Sequence, residues 1–106
     1  MDKVIKIGDK DVTLRATAST VRRYRARFGR DLLADMQAFT EGAQSGEVLE
    51  AIQNLTYIMA KQANDKVPDD VDEWLDSFNV FPVADIAPDV VRLWTASSIT
   101  TVTPKN

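Results

Sequence analysis

Apolar and polar residues alternate near the start of the chain, which predicts two β-strands. Residues 4–7 (VIKI) and 12–15 (VTLR) flank residues 8–11 (GDKD), in which Gly8-Asp9 supplies turn chemistry. We therefore predict a β-hairpin over about residues 4–15. An isolated two-stranded hairpin is only marginally stable in water, so this one must pack on helices or on another subunit.

After the hairpin, the apolar residues recur at helical spacing. A helix is predicted to start near Thr20, with Thr17 or Ser19 as its cap. Gly29 interrupts this helix. Asp31 is placed to start the next one, which continues to about residue 40.

A loop of small polar residues and glycines precedes the longest predicted helix, which spans about residues 47–64. A short helix follows from Asp69 or Asp70. The last helix is predicted to begin near Pro82. Pro88 lies inside its apolar stripe, which predicts a kink or a second start there.

These elements predict a mainly α fold, a small bundle of four to five helices with an N-terminal β-hairpin. We expect one domain over residues 1–99 and a flexible tail over residues 100–106, where apolar periodicity is absent. The apolar stripes predict these mainly buried residues: Tyr24, Phe28, Leu33, Met36, Ile52, Leu55, Met59, Leu75 and Phe78.

The composition restricts the chemistry. The 106 residues include no cysteine and no histidine, which removes thiolates, imidazole bases and the common zinc ligand sets. Asp72 and Asp76 lie one helical turn apart, but no electrophilic partner for carboxylate catalysis accompanies them. The acids of residues 65–76 lack the spacing and glycine of a calcium loop. We predict a protein without enzymatic activity, metal or cofactor.

Two sequence features bear on localisation. No apolar run approaches the roughly 18–20 residues that span a bilayer. The N-terminus alternates charged and apolar residues, which is not the pattern of a signal peptide. We therefore expect a cytoplasmic protein with no membrane partner.

Charge is unevenly distributed along the chain. Residues 1–30 hold nine Lys/Arg and three Asp/Glu, a net of +6, whereas the rest hold four and thirteen, a net of −9. Opposite signs favour weak head-to-tail association between copies, or pairing within one subunit. The net charge of the whole chain, −3, argues against nucleic acid as a partner. The alternative function is nevertheless a nucleic-acid-binding regulator that uses the Arg22–Arg30 helix. Arg23, Arg27 and Arg30 are candidate charged guides for a protein partner.

The segment 68–94 combines large apolar residues with seven carboxylates and one basic residue. Trp74, Phe81 and Trp94 are candidate partner-binding anchors, because one small core need not cover them all. The alternative is that they belong to the core. Trp74 and Leu75 point about 100° apart on a helix, so one of them should lie at an edge.

Four segments in this order resemble the tail assembly chaperones of long-tailed phages and prophages. They are KIGDKDVTLRAT in the hairpin, FGRDLL after the arginine-rich stretch, NLTYIMAKQA in the long helix and DEWLDSF in the short helix. The resemblance covers about residues 4–94 and implies a small, mostly helical protein without catalytic residues, made in the host bacterial cytoplasm.

The resemblance also implies partners. Such chaperones bind the long tape-measure protein, keep it soluble and help tail-tube protein assemble around it. In many relatives a translational frameshift appends a domain that recruits the tube protein. The chain ends at Asn106 without that extension, so we expect the short product. A structural tail protein, such as a connector, is a further alternative.

Overall fold

The computed structural model describes residues 1–98, and the predicted tail at residues 100–106 lies outside the described residues. The elements within residues 1–98 are β1 (Asp2–Ile7), β2 (Lys10–Arg15), α1 (Thr20–Phe28), α2 (Leu32–Thr40), α3 (Gly46–Ala63), α4 (Val71–Asp76) and α5 (Val83–Ser98). The predicted fold class, mainly α with an N-terminal hairpin, is confirmed.

The hairpin turn lies at the predicted Gly8-Asp9, but the connection between the strands is shorter than the predicted residues 8–11. It consists of Gly8 and Asp9 alone, and Lys10 and Asp11 belong to β2. Gly8 has a φ of 64° at the first turn position, where a type II′ turn requires glycine. A Cβ at Gly8 would lie 2.7 Å from the carbonyl oxygen of Val80. The turn therefore packs closely against the connection between α4 and α5.

A pair of threonines holds the start of α1. Ser19 occupies the cap position, but its side chain caps no backbone N–H. The Thr20 hydroxyl accepts a hydrogen bond from the Thr17 N–H and donates one to Gln62 Oε1, both at 2.9 Å. Gln62 Nε2 also donates to Thr17 Oγ1 at 2.9 Å. These bonds tie the first turn of α1 to the last turn of α3.

The core is built around α3, which contacts β2 and the other four described helices. Ile52, Leu55 and Met59 are fully buried on it, and Ile7 and Leu14 bring the hairpin into the same cluster. A helix covered on this many sides is expected to be apolar around most of its surface. The second half of α3 follows that rule, since residues 54–60 are all buried.

Most of the predicted core residues are buried or half-buried. Leu33 is the exception at 50% exposure, so that prediction was wrong. Its neighbour Leu32 is fully buried and lies one turn before Met36. A one-residue step turns a helix by about 100°, which is enough to exchange a core position for a solvent position. The half-buried members of the predicted set are Phe28, Leu75 and Phe78.

The last helix, α5, runs through Pro88 without a break, so a second start at that residue is excluded. Pro82 directly precedes the helix, and its carbonyl accepts hydrogen bonds from the N–H groups of Asp85 and Ile86. Pro88 deprives the Ala84 carbonyl of its helical donor. Both residues are exposed, so solvent can hydrate that carbonyl.

Candidate partner-binding grooves

A buried carboxylate joins α1 to α2. Arg30 donates to both oxygens of Asp35, from Nε at 3.0 Å and from Nη2 at 2.7 Å. The Tyr24 hydroxyl donates to Asp35 Oδ2 at 2.9 Å. Asp35 is 8% exposed, and Arg30 also approaches Glu47 at 4.0 Å. Arg30, predicted as a guide for a partner, is therefore committed to bonds within the fold.

These contacts shift the titration of the groups involved. Hydrogen bonds from Arg30 lower the pKa of Asp35 below its ordinary value of 3.8, against the opposing effect of burial. Burial raises the pKa of Tyr24, and its hydrogen bond to Asp35 adds to the effect. Asp35 thus stays ionised and Tyr24 stays neutral at physiological pH.

The segment before α4 is fastened by three side chains. Tyr57 Oη donates to the Pro68 carbonyl at 2.6 Å, and Lys61 Nζ lies 2.8 Å from the Asp69 carboxylate. Arg27 donates to the Asp69 carbonyl, and its guanidinium lies 5.5 Å from the centre of the Tyr57 ring. Arg27 therefore also holds the fold together, and it fixes where α4 lies against α1 and α3.

The prediction that Trp74, Phe81 and Trp94 form an exposed patch was wrong, because Trp74 and Trp94 are 5% and 3% exposed. Trp74 makes edge contacts with the Phe78 and Phe81 rings at centroid distances of 5.0 and 5.6 Å. Phe81 is half-buried against this cluster. Trp94 makes no ring contact in residues 1–98. The small core covers both indoles, and Leu75 takes the edge position beside Trp74.

The outer side of α1 keeps its positive charge exposed. Arg23 Nε donates to Ser19 Oγ at 3.0 Å, and the side chain is exposed. Arg22 and Arg25 are also exposed and form no ion pair with any residue in the range 1–98. Of the three predicted arginine guides, Arg27 and Arg30 bond to Asp69 and Asp35. In that range the Arg23 side chain bonds only to Ser19, one turn away on the same helix end.

The first open groove lies between α1, α3 and α4, and we call it the α1–α3–α4 groove. It has a volume of about 430 Å³. Half-buried apolar side chains form its floor, and exposed Glu50 and Asp72 stand on its rim. The floor residues are Phe28, Leu49, Val71 and Leu75.

The second groove runs beside β2, and we call it the β2 groove. It has a volume of about 460 Å³. Residues 10–13 of β2 form one side, and the other side is formed by the last turn of α3 and by Trp74, Ser77 and Phe78 at the end of α4. Lys10 crosses one end, where its Nζ donates to the Ser77 carbonyl at 2.6 Å and lies 5.2 Å from the centre of the Phe78 ring. The two grooves share no lining residue.

Neither groove was predicted from the sequence. A signal was present for the first one, because Leu49-Glu50 and Val71-Asp72 each place an acid directly after a large apolar residue. Two such pairs on neighbouring helices make an apolar floor with an acidic rim. Only the packing of α4 on α3 brings them together.

Residues 1–98 contain no cluster of acidic side chains arranged to hold a metal ion. None of the helices in that range has both the length and the apolar character needed to cross a membrane. Comparison of the chain with protein-family models, curated proteins and solved structures finds no match.

Proposed function

We propose that this chain is a non-catalytic tail assembly chaperone of a long-tailed phage or prophage, acting in the host cytoplasm. Its client is the tape-measure protein, and tail-tube protein is the second partner. The resemblance of four sequence segments supports the proposal. The α1–α3–α4 groove is the structural observation that carries it, because it suits a helix with one apolar face.

The dimensions of the groove fit a short piece of helix. Its α3 wall runs from Gly46 to Asn54, a rise of roughly 12 Å at 1.5 Å per residue. That length matches about two turns of a client helix, whose apolar residues at positions i, i+3 or i+4, and i+7 face the floor. A tape-measure protein offers many such turns, so weak single contacts add up along one client.

The charges at the rim define the preferred client. Glu50 and Asp72 are exposed at the groove, and the nearby cation Arg30 is held by Asp35. The rim is therefore net negative. It favours a client helix that carries Lys or Arg beside its apolar stripe, and these charges also speed association.

Co-expression with the tape-measure protein of the same phage genome tests the proposal. We expect the wild-type chain to keep the client soluble and to co-purify with it. Leu49→Gln should weaken binding by placing an amide in the half-buried floor. Glu50→Lys should weaken it by reversing the rim charge, while Glu41→Lys makes the same charge change on an exposed residue outside the groove.

The result that contradicts the proposal is specific. If the wild-type chain neither solubilises nor co-purifies with the tape-measure protein, the chaperone function fails. If binding is retained but Glu50→Lys and Glu41→Lys behave alike, the chaperone function survives and the groove is not its client site.

The exposed arginines of α1 favour one second candidate, a nucleic-acid-binding regulator. Arg22, Arg23 and Arg25 lie close together without carboxylate partners in residues 1–98. Each phosphate contact makes affinity fall with salt. Binding to nonspecific duplex DNA that weakens steeply as salt rises, and is lost in Arg22→Glu, would support this candidate over the chaperone.

A further inference from the structure

The outer edge of β2 has unused backbone hydrogen-bonding groups. The two-residue turn makes Ile7 and Lys10 a hydrogen-bonded pair, and in an antiparallel ladder such pairs alternate with non-bonded ones. The backbone N–H and C=O groups of Asp11 and Thr13 therefore point away from β1. Both residues are exposed, and their outward groups have no partner within residues 1–98.

The β2 groove lies directly beside this edge. Its inner surface includes Val12, Ala63, Val67 and Phe78, all half-buried, with the nearly buried Trp74 in the wall. Within the described residues, the groove is thus a strand edge with two free backbone donors and two free acceptors, bordered by an apolar surface. An unpaired edge of this kind is a template for another strand.

We propose that the β2 groove binds an extended segment of a partner protein, which pairs with β2 as a third strand. The segment hydrogen-bonds to the outward backbone groups of Asp11 and Thr13. Its alternate side chains are apolar and lie on the floor formed by Ala63, Val67 and Phe78. A helix would gain nothing from the free edge, because its backbone groups already bond to each other. This site is independent of the proposed chaperone function, since the two grooves share no lining residue.

A defined peptide tests the inference on the full chain. The probe is Lys-Val-Thr-Val-Thr-Val-Glu with acetyl and amide ends, which is neutral and alternates apolar with polar residues. The control is Lys-Thr-Val-Val-Val-Thr-Glu, which has the same composition without the alternation. We expect the probe to shift the amide NMR signals of Asp11 and Thr13 saturably, and to bind more tightly than the control.

Proline substitutions at two opposed positions show whether the β2 edge carries the binding. Val4 and Thr13 lie directly opposite each other in the ladder, and the N–H of each points outward, so neither proline removes a hydrogen bond within the hairpin. Thr13→Pro should weaken peptide binding about tenfold, since it deletes one intermolecular hydrogen bond and places a ring at the edge. Val4→Pro should leave binding unchanged.

A second variant covers the case in which Thr13→Pro fails to fold. Ala63→Lys puts a charge on the groove floor at the last residue of α3, without altering the strand, and should also weaken binding. The inference is overturned if the probe does not bind at millimolar concentration. It is also overturned if Val4→Pro weakens peptide binding more than Ala63→Lys does. A third contradicting result is that the probe shifts the amide NMR signals of Leu49 and Glu50, which line the other groove. A fourth is that the Asp11 and Thr13 amides become protected from hydrogen exchange as protein concentration alone rises, which would indicate that a second copy of the chain occupies the edge.

Discussion

At the residue scale, Asp35 shows how one polar group orders two helices. A buried carboxylate is costly unless its oxygens are bonded, and here Arg30 and Tyr24 satisfy both of them. Arg30 follows the left-handed Gly29 that ends α1, and Asp35 lies in the first half of α2. The contact therefore fixes the angle between these helices.

Asp35→Asn should lower the free energy of unfolding by about 1–3 kcal/mol at pH 7, because it removes the charge that Arg30 and Tyr24 bind. The folded-state pKa of Asp35 is lowered, so its contribution is complete above the unfolded value near 3.8 and disappears as pH falls through the folded value. The difference between wild type and variant should shrink in urea unfolding below about pH 4. Asp76→Asn makes the same substitution at an exposed carboxylate and is the control, which should change the free energy of unfolding at pH 7 by less than about 0.5 kcal/mol.

Gly8 and Gly29 provide a second comparison at this scale. Their φ angles are 64° and 66°, but within residues 1–98 only Gly8 has a neighbour in the way of a Cβ, the Val80 carbonyl oxygen at 2.7 Å. Gly29→Ala should cost about 1–2 kcal/mol from its left-handed backbone. Gly8→Ala should cost at least about 1 kcal/mol more, because the methyl group also collides with backbone. Equal losses in thermal unfolding would show that the hairpin turn moves freely away from Val80.

At the element scale, α2 and α3 differ in how completely neighbours cover them. α3 is packed by the hairpin and by the other described helices, so nearly any apolar residue in its second half is buried. α2 contacts α1 and α3 on one side, so its stripe depends on a single rotation angle. The sequence therefore predicts burial on α3 more reliably than on α2.

The same substitution on these two helices measures that difference. Leu55→Ala should cost about 2–5 kcal/mol, since Leu55 is fully buried. Leu33→Ala should change stability by less than about 0.5 kcal/mol, since Leu33 is 50% exposed. Chemical denaturation of both variants tests the assignment. A cost at Leu33 that approaches the cost at Leu55 would mean that Leu33 is covered in solution, for example by another copy.

At the scale of the whole molecule, the basic front and acidic back of the chain do not simply neutralise each other. Arg30 pairs with Asp35, and Arg27 bonds to a backbone carbonyl. Within residues 1–98, neither arginine therefore forms an ion pair with a carboxylate of the acidic segment 68–94. Arg22 and Arg25 on α1 stay exposed, as do Glu73 and Asp76 on α4. Charge of both signs is left for contacts between molecules.

We therefore expect weak self-association that loosens as salt rises, because exposed charges are screened beyond about 8 Å at physiological ionic strength. Arg22→Glu should reduce association in sedimentation experiments at low salt. Lys3→Glu makes the same charge change on the exposed hairpin and should have less effect. A chain that stays monomeric at high concentration and low salt would contradict this expectation.

Local signals in the sequence were sufficient for the order and approximate bounds of the elements. Gly29 and Asp31 mark the end of α1 and the start of α2, and Asp70 caps α4 with its own side chain. These effects depend on residues a few positions apart, so one sequence contains all that is needed to predict them. The resemblance to tail assembly chaperones likewise depends on linear segments, and the function it implies stays a prediction.

Burial and binding surfaces were decided only by the tertiary structure. Trp74 and Trp94 looked like exposed anchors in the sequence, yet both are in the core because several elements close over them. Arg27 and Arg30 looked free, yet their partners lie 42 and five residues away in the chain. Grooves arise where elements distant in sequence meet without filling the space between them. Periodicity along one helix determines which residues share a face, but only the packing of all the elements determines which faces are covered.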